Sequence, residues 1–296
     1  MIVELVKTQT RDGVRLDGVI TRESVLAANA VASDSKPTGL IVCLHGVGSN
    51  FYGSTMMNVL AEGLHTEQWD VLRVNTRGHD YCYVGSFKMG ARRFGSGYET
   101  VADCVQDITA WVQWAEQAGY ERVVLLGHSL GAIKTVFSQS QETPDLVVAV
   151  LAISPPRLEH EIFLVGERSG EFRASFSAAE DLIAKGLADE LVDVTFPFPL
   201  LITAASYVDK YGSQDRYNIV KLVEHLKVPT HFIYGGSELT DGNTAFAGLA
   251  DILVDKVRDS ELDDLVSVEV IAGADHLYMR HLDVLLASAQ RFVDAL

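Results

Sequence analysis

The chain has 296 residues, 48% of them hydrophobic, which is enough to bury a large core. Length alone suggests about two domains at roughly 150 residues each. The chain carries 40 acidic and 24 basic side chains, so its formal net charge is -16. A charge of this sign repels phosphate backbones and anionic lipid surfaces, and we expect neither a nucleic-acid partner nor a membrane partner.

The sequence shows no sign of export or membrane insertion. The opening residues MIVELVKTQTRDG have no basic stretch followed by an apolar segment. The densest apolar run, LVVAVLAIS, is far shorter than the roughly 18 to 20 residues that span a bilayer. Three widely spaced cysteines fit neither a disulfide framework nor a zinc site. We predict a soluble, cytoplasmic protein in which Cys43 and Cys104 are buried hydrophobic residues.

Two alternating stretches open the chain and meet at Arg11-Asp12-Gly13, which predicts an antiparallel β-hairpin. After the hairpin, apolar runs typical of buried strands alternate with segments of helical spacing. The predicted strands are GLIVCLHG, WDVLRVNTRG, ERVVLLG, LVVAVLAIS, PTHFIYGG and VSVEVIAG, and the predicted helices lie near 56–65, 98–118, 130–141, 247–258 and 281–295. Parallel neighbours require crossover connections, so this alternation predicts an α/β fold with a mostly parallel central sheet and helices on both faces.

The interval 155–227 is longer than one crossover helix requires. Much of it has helical composition, and it ends in the aromatic and proline-rich VTFPFPLLITAASYVDKYG. Open α/β sheets bind ligands outside the carboxyl ends of their strands. We therefore interpret 155–227 as a mostly helical cap inserted into a core domain of residues 1–154 and 228–296. The alternative is a second packed layer with no role in binding.

The motif GHSLG at 127–131 lies between an apolar strand and a helix. Glycines two residues before and two residues after Ser129 allow neighbouring backbone to pass close to a sharp turn. The free N–H groups and the positive dipole end of the following helix face the same spot and would stabilise an oxyanion. The pattern predicts that Ser129 is an exposed nucleophile.

A serine nucleophile needs a base within hydrogen-bond reach and a third group that orients the base. The chain order expected for this architecture is serine, acid, histidine. Of the nine histidines, His276 follows the last predicted strand, in a loop at the carboxyl edge of the sheet beside Ser129. We predict that His276 is the base, and we expect the side chain of His128 to point away from the site.

The loop after PTHFIYGG offers two carboxylates, Glu238 and Asp241. Glu238 stands nearer to the end of the strand, where it would accept the second ring N–H of His276 and fix the tautomer of that ring. We favour Glu238 as the acid and keep Asp241 as the alternative.

The loop LHGVGSN also follows an apolar strand and contains two glycines. Glycines let the backbone N–H groups of a loop approach a ligand. We predict that the N–H groups of Val47 and Leu130 together form an oxyanion hole.

With these motifs in order, the chain resembles the α/β-hydrolase superfamily over nearly its whole length. The matching segments are HGVGS at 45–49, NTRGHD at 75–80, GHSLG at 127–131, YGGSE at 234–238 and GADH at 273–276. The sequence departs from the family pattern at Glu238, where aspartate is common, and in GADH, which differs from the frequent GxGH ending. A serine nucleophile looks like the esterases, thioesterases, peptidases, lactonases and carbon-carbon bond hydrolases of the superfamily, and unlike its haloalkane dehalogenases and epoxide hydrolases.

The resemblance implies a capped serine hydrolase that cleaves a small carboxylic ester and requires no metal or organic cofactor. Aromatic residues in the predicted cap suggest an apolar or aromatic substrate; they include Phe196, Phe198, Tyr207, Tyr211 and Tyr217. Two alternatives stay open: the same triad acting on a thioester, lactone, amide or carbon-carbon bond, and a non-catalytic small-molecule receptor on the same fold. The sequence leaves the oligomeric state open.

Overall fold

A computed structural model describes residues 2–22, 37–88, 90–141, 144–240 and 242–296. Eight of its strands form a central sheet in the order β1-β2-β4-β3-β7-β8-β11-β12. These strands are β1 (Ile2–Gln9), β2 (Arg15–Arg22), β3 (Gly39–Leu44), β4 (Trp69–Val74), β7 (Arg122–His128), β8 (Val147–Ile153), β11 (Thr230–Gly235) and β12 (Val266–Ile271). The β1–β2 and β2–β4 pairs are antiparallel and the remaining pairs are parallel, which confirms the predicted fold class.

Helices connect the strands at nearly every crossover. They are α1 (Thr55–Leu64), α2 (Cys104–Gln117), α3 (Leu130–Gln141), α4 (His160–Val165), α5 (Ser169–Ala184), α6 (Ala204–Tyr211), α7 (Ile219–Leu222), α8 (Leu249–Asp259) and α9 (Leu282–Asp294). Short 3₁₀ turns at Val101–Asp103 and Val223–His225 adjoin α2 and α7. Two small antiparallel ribbons, not predicted from the sequence, pair β5 (Tyr83–Phe87) with β6 (Gly90–Phe94) and β9 (Leu191–Val194) with β10 (Leu200–Thr203).

The central strands β3, β4, β7, β8 and β11 are buried on both faces, and successive side chains of each strand point in opposite directions. In β3, Leu40 and Val42 pack into one core with α2, α3 and α8, whereas Ile41 and Cys43 pack into the other core with α1 and α9. Burial raises the pKa of the Cys43 thiol to about 12. Cys43 and Cys104 are both buried, as predicted.

A buried ion-pair network fastens the N-terminal hairpin to the sheet. Arg77, in the loop after β4, donates from its backbone N–H and from Nε to the two carboxylate oxygens of Asp107 on α2, at 2.8 and 2.9 Å. Its Nη1 donates to Asp12 in the hairpin turn at 2.8 Å. One guanidinium thus joins three segments that are distant in the chain, beside the loop that follows β4.

The segment between β8 and β11 folds as helices α4 to α7 and the β9–β10 ribbon. Its rings pack mostly against one another: Phe163, Phe172 and Phe196 lie with centroids 5.0 to 5.4 Å apart. These rings are buried and continuous with the core on the α2 and α3 face of the sheet. The division of the chain into a core domain and a cap stays a prediction.

Within the described residues, no helix combines the length and the apolar character needed to cross a bilayer.

Candidate active site

Ser129 occupies a sharp turn between β7 and α3, with φ at 56°, in the left-handed region that non-glycine residues rarely adopt. A Cβ on Gly127 would lie 2.3 Å from the carbonyl oxygen of Gly131, and a Cβ on Gly131 would lie 2.5 Å from that of Leu44. Neither position can carry a side chain, which is the steric condition expected of the motif. The Ser129 N–H donates to the Ile153 carbonyl at 2.9 Å and ties the turn to β8.

The structure brings the predicted base and acid into contact. His276 Nδ1 donates to Glu238 Oε2 at 2.6 Å, and the Glu238 side chain is almost completely buried. The other carboxylate oxygen accepts from Ser154 Oγ at 2.5 Å and from the Gly235 N–H at 2.7 Å. Three donors therefore hold the carboxylate in one orientation. Asp241, the alternative acid, lies outside the described residues.

Sequence reasoning missed two residues that support the acid. Ser154, at the end of β8, has φ at 49°, and its hydroxyl lies 2.8 Å from the Tyr278 hydroxyl as well as contacting Glu238. Both residues are fully buried. Ser154 ends a strand next to the elbow strand, so its place at this sheet edge was readable from the sequence. Its role was not readable, because a hydroxyl that donates to a carboxylate leaves no motif.

The loop after β3 lies directly against the nucleophile. A Cβ on Gly46 would stand 3.3 Å from Ser129 Cβ, so a glycine allows the close approach. His45 fixes the loop, since its Nδ1 donates to the Gly46 carbonyl at 2.8 Å and its Nε2 accepts from the Thr76 N–H at 3.2 Å. Burial, aided by the charge of Lys134, lowers the pKa of His45 to about 4, so the ring is neutral.

The two predicted oxyanion donors have free N–H groups. Within the described residues, neither the Val47 N–H nor the Leu130 N–H donates a backbone hydrogen bond. Leu130 begins α3, where the first N–H groups of a helix have no partner inside the helix. Val47 lines the same cavity as Ser129. These two groups are available to a ligand beside the serine.

A cavity of about 430 Å³ contains both Ser129 and His276. Most of its large side chains are apolar: Val47, Met56, Met57, Phe198, Leu277 and Met279. Three of them remain exposed at its rim, namely Phe198, Leu277 and Met279. A larger cavity of about 670 Å³ lies between α4, α5 and α6, but it contains none of the predicted site residues.

Of the five aromatic residues that suggested an apolar substrate, Phe198 reaches the cavity of Ser129. The other four, Phe196, Tyr207, Tyr211 and Tyr217, are buried. They pack on neighbouring rings, so they build the core of their own segment. Of the five, Phe198 is thus the residue that supports the expected apolar or aromatic substrate, which stays a prediction.

Ser129 and His276 line one cavity. Among the described residues, no hydrogen bond joins Ser129 Oγ to His276 Nε2. Catalytic hydrogen bonds are often long or poorly aligned in a free enzyme and tighten in the Michaelis complex.

The expectation for His128 was wrong. Its side chain lines the cavity, and its Nε2 donates to the His276 carbonyl at 2.8 Å. The centroids of the two imidazole rings lie 4.7 Å apart. His128 ends β7, and strand alternation places its side chain on the same face as Val124 and Leu126, which is also the face of the loop that carries His276.

A buried charge cluster behind the oxyanion loop was also missed. Lys134, on α3, donates from Nζ to Glu99 Oε2 at 2.6 Å and to Thr76 Oγ1 at 3.1 Å. Lys210 on α6 is buried nearby and interacts electrostatically with Glu99. Burial acts to raise the pKa of Glu99, but the two lysines outweigh it and lower that pKa. The cluster links the elbow helix to the loop after β4.

The described residues contain no group of three or more His, Cys, Asp or Glu side chains that could hold a metal ion.

Comparison with known proteins identifies the family. The profile of the alpha/beta hydrolase family matches residues 41–295. The chain therefore belongs to the alpha/beta hydrolase family, and it is a hydrolase by fold and by family.

Solved structures of similar fold include esterases. The ferulic-acid-bound Est1E of Butyrivibrio proteoclasticus is 16% identical, with a TM-score of 0.65 and coverage of 97% of both chains. The Pyrococcus furiosus esterase Pf2001 is 17% identical, with a TM-score of 0.61 and coverage of 99% of this chain and 92% of that chain. An E-2-(acetamidomethylene)succinate hydrolase is 20% identical, with a TM-score of 0.56 and coverage of 98% and 100%. Among curated protein sequences, no significant match was found.

Proposed function

We propose that the protein is a serine hydrolase that cleaves a carboxylic ester of a small apolar or aromatic substrate through an acyl-enzyme. The observation that carries this proposal is the His276–Glu238 contact at 2.6 Å, which faces the cavity containing the strained Ser129 elbow. A non-catalytic receptor has no need of an oriented base beside a serine that lines the same cavity, and such strain is kept where function requires it.

The proposed reaction follows from the positions of these groups. Ser129 Oγ attacks the ester carbonyl while His276 Nε2 takes its proton, and Glu238 stabilises the imidazolium through Nδ1–H. The N–H groups of Val47 and Leu130 donate to the tetrahedral oxyanion. The imidazolium then protonates the leaving alcohol. In the second half, His276 activates a water molecule that releases the acid and restores Ser129.

The cavity lining supports the substrate class. Six large apolar side chains surround the polar groups that would act on the ester, and several of them stay exposed until a ligand covers them. Methionine side chains adapt to irregular ligand shapes. The ferulic acid bound to Est1E is an aromatic acid, in keeping with an aromatic acyl group in this cavity. We also propose that residues 155–227 act as a cap, because Phe198 brings that segment to the site.

The first test is reaction with a fluorophosphonate followed by intact-mass spectrometry. We expect one adduct on the wild type and none on Ser129→Ala. Ser49→Ala is the matched control because it removes another hydroxyl from the same cavity, and it should be labelled like the wild type. An unlabelled wild type, or a labelled Ser129→Ala, would overturn the proposal.

The same variants extend the test to turnover. Ser129→Ala and His276→Ala should each lower kcat by about three orders of magnitude or more on an activated aryl ester, with the fold intact. A panel of matched ester, thioester, lactone and amide substrates then identifies the bond that is cleaved. A higher kcat/KM on any of the last three would correct the ester assignment.

A further inference from the structure

The His128 side chain is buried between two loops of the site, and the proposed reaction gives it no role. Its Nε2 lies 2.8 Å from the His276 carbonyl oxygen. A carbonyl oxygen can only accept, so the proton is on Nε2. On the other side of the ring, a Cβ on Gly46 would lie 3.7 Å from Nδ1, so the imidazole also packs against the oxyanion loop.

His276 is consequently held at two points. Glu238 holds its imidazole through Nδ1, and His128 holds its main chain through the carbonyl. Within the described residues, no other group donates to that carbonyl. A change in the main-chain position of His276 would swing Nε2 away from Ser129 even while the contact with Glu238 persists.

We infer that His128 is a positioning residue for the proposed general base, and that its Nε2–H sets the direction from which the His276 ring faces Ser129. The inference rests on the proposed serine-hydrolase function. It adds that the proposed reaction requires an uncharged hydrogen-bond donor at position 128, directly before Ser129.

The charge state of His128 agrees with this role. Its ring lies 4.7 Å from the His276 ring, which carries a positive charge during the proposed reaction. Burial, together with the charge of His276, lowers the pKa of His128 to about 3. His128 therefore stays neutral at any assay pH above about 5, donates without repelling the imidazolium, and does not compete as a base.

The test compares two amides at position 128. A glutamine amide reaches the position of Nε2, whereas an asparagine amide reaches only the position of Nδ1. We expect His128→Gln to keep kcat within about threefold of the wild type. His128→Asn should lower kcat by about 10- to 100-fold with KM nearly unchanged, as expected from the loss of one hydrogen bond. Circular dichroism and the unfolding midpoint verify that both variants are folded.

Two further measurements separate positioning from general loss of structure. The low-field proton resonance of His276 Nδ1–H should persist in His128→Gln and shift or broaden in His128→Asn, and it needs no turnover. The acid limb of the kcat/KM profile should keep its midpoint in His128→Gln, because His128 does not titrate there.

Equal kcat and equal spectra for the two variants would overturn the positioning role. That result is distinct from failure of the proposed function, which would appear as a wild type that a fluorophosphonate does not label at Ser129.

Discussion

At the scale of single residues, the orientation of Glu238 is set by the hydrogen-bond donors around its carboxylate. Glu238 is buried, yet donors reach both of its oxygens, and His276 is one of them. Hydrogen bonds to an ionised group are among the strong ones. The carboxylate therefore fixes the tautomer of His276 as well as its position.

Glu238→Gln tests this dependence. The amide keeps the shape of the side chain but cannot stabilise the imidazolium, so kcat should fall by about 10³- to 10⁴-fold. Ser154→Ala is a milder variant for comparison. It removes one hydrogen-bond donor to the Glu238 carboxylate and should lower kcat by about tenfold. Steady-state kinetics of both variants measure the effect, and a Glu238→Gln enzyme with a tenth of the wild-type kcat would exclude Glu238 as the triad acid.

At the scale of elements, the elbow helix α3 is joined to its surroundings by charge as well as by apolar packing. Lys134 and Glu99 form an ion pair with both side chains nearly inaccessible to solvent. Within the described residues, Lys210 Nζ and Glu99 Oε1 have no hydrogen-bond partner. A buried pair of this kind adds little stability by itself, but breaking it leaves an uncompensated charge.

We expect Glu99→Gln to lower the free energy of unfolding by about 3 to 5 kcal/mol, because two buried lysines lose their counter-charge. Glu67→Gln, at an exposed position before β4, should change it by less than about 0.5 kcal/mol. Urea denaturation followed by circular dichroism measures both values. Equal stabilities of the two variants would show that Glu99 does not stabilise the buried lysines.

At the scale of the whole molecule, buried histidines, among them His45 and His128, make stability depend on pH. The pKa of His45 is lowered to about 4 and that of His128 to about 3, chiefly by burial, against an ordinary value of 6.5. Below pH 6.5 these two imidazole rings are protonated in the unfolded chain but stay neutral in the folded chain. The free energy of unfolding should therefore fall as the pH drops from about 6 to 4.5.

In that window, each of these two histidines changes the free energy of unfolding by about 1.4 kcal/mol per pH unit, because its ring is protonated in the unfolded chain and neutral in the folded chain. His128→Gln removes one of the two groups, so its slope between pH 6 and 4.5 should be shallower by about this amount. Urea titrations at several pH values give the two slopes. Parallel curves for the wild type and the variant would show that His128 is protonated in the folded state.

The sequence predicted the elements that follow simple periodicity, and it predicted the residues whose position has a steric reason. The elbow glycines are needed because a Cβ would overlap backbone, and the contact of His276 with Glu238 follows from two loops at one sheet edge. The sequence did not reveal the role of Ser154 or the partner of His128, because a single hydrogen bond to a carboxylate or to a carbonyl leaves no motif. The buried Glu99–Lys134 pair was equally hidden, since charged residues are usually exposed.

The groups that meet around Ser129 come from four separate parts of the chain, and His276 follows β12 at one edge of the sheet. In the described part of the chain, β12 pairs with β11 alone. On a ribosome, the elbow strand and its serine are synthesised long before that last strand can dock. Under the proposed mechanism, a nascent chain would carry Ser129 before His276 is synthesised, and hydrolysis would begin only after β12 docks on β11. The appearance of activity would then report the docking of β12.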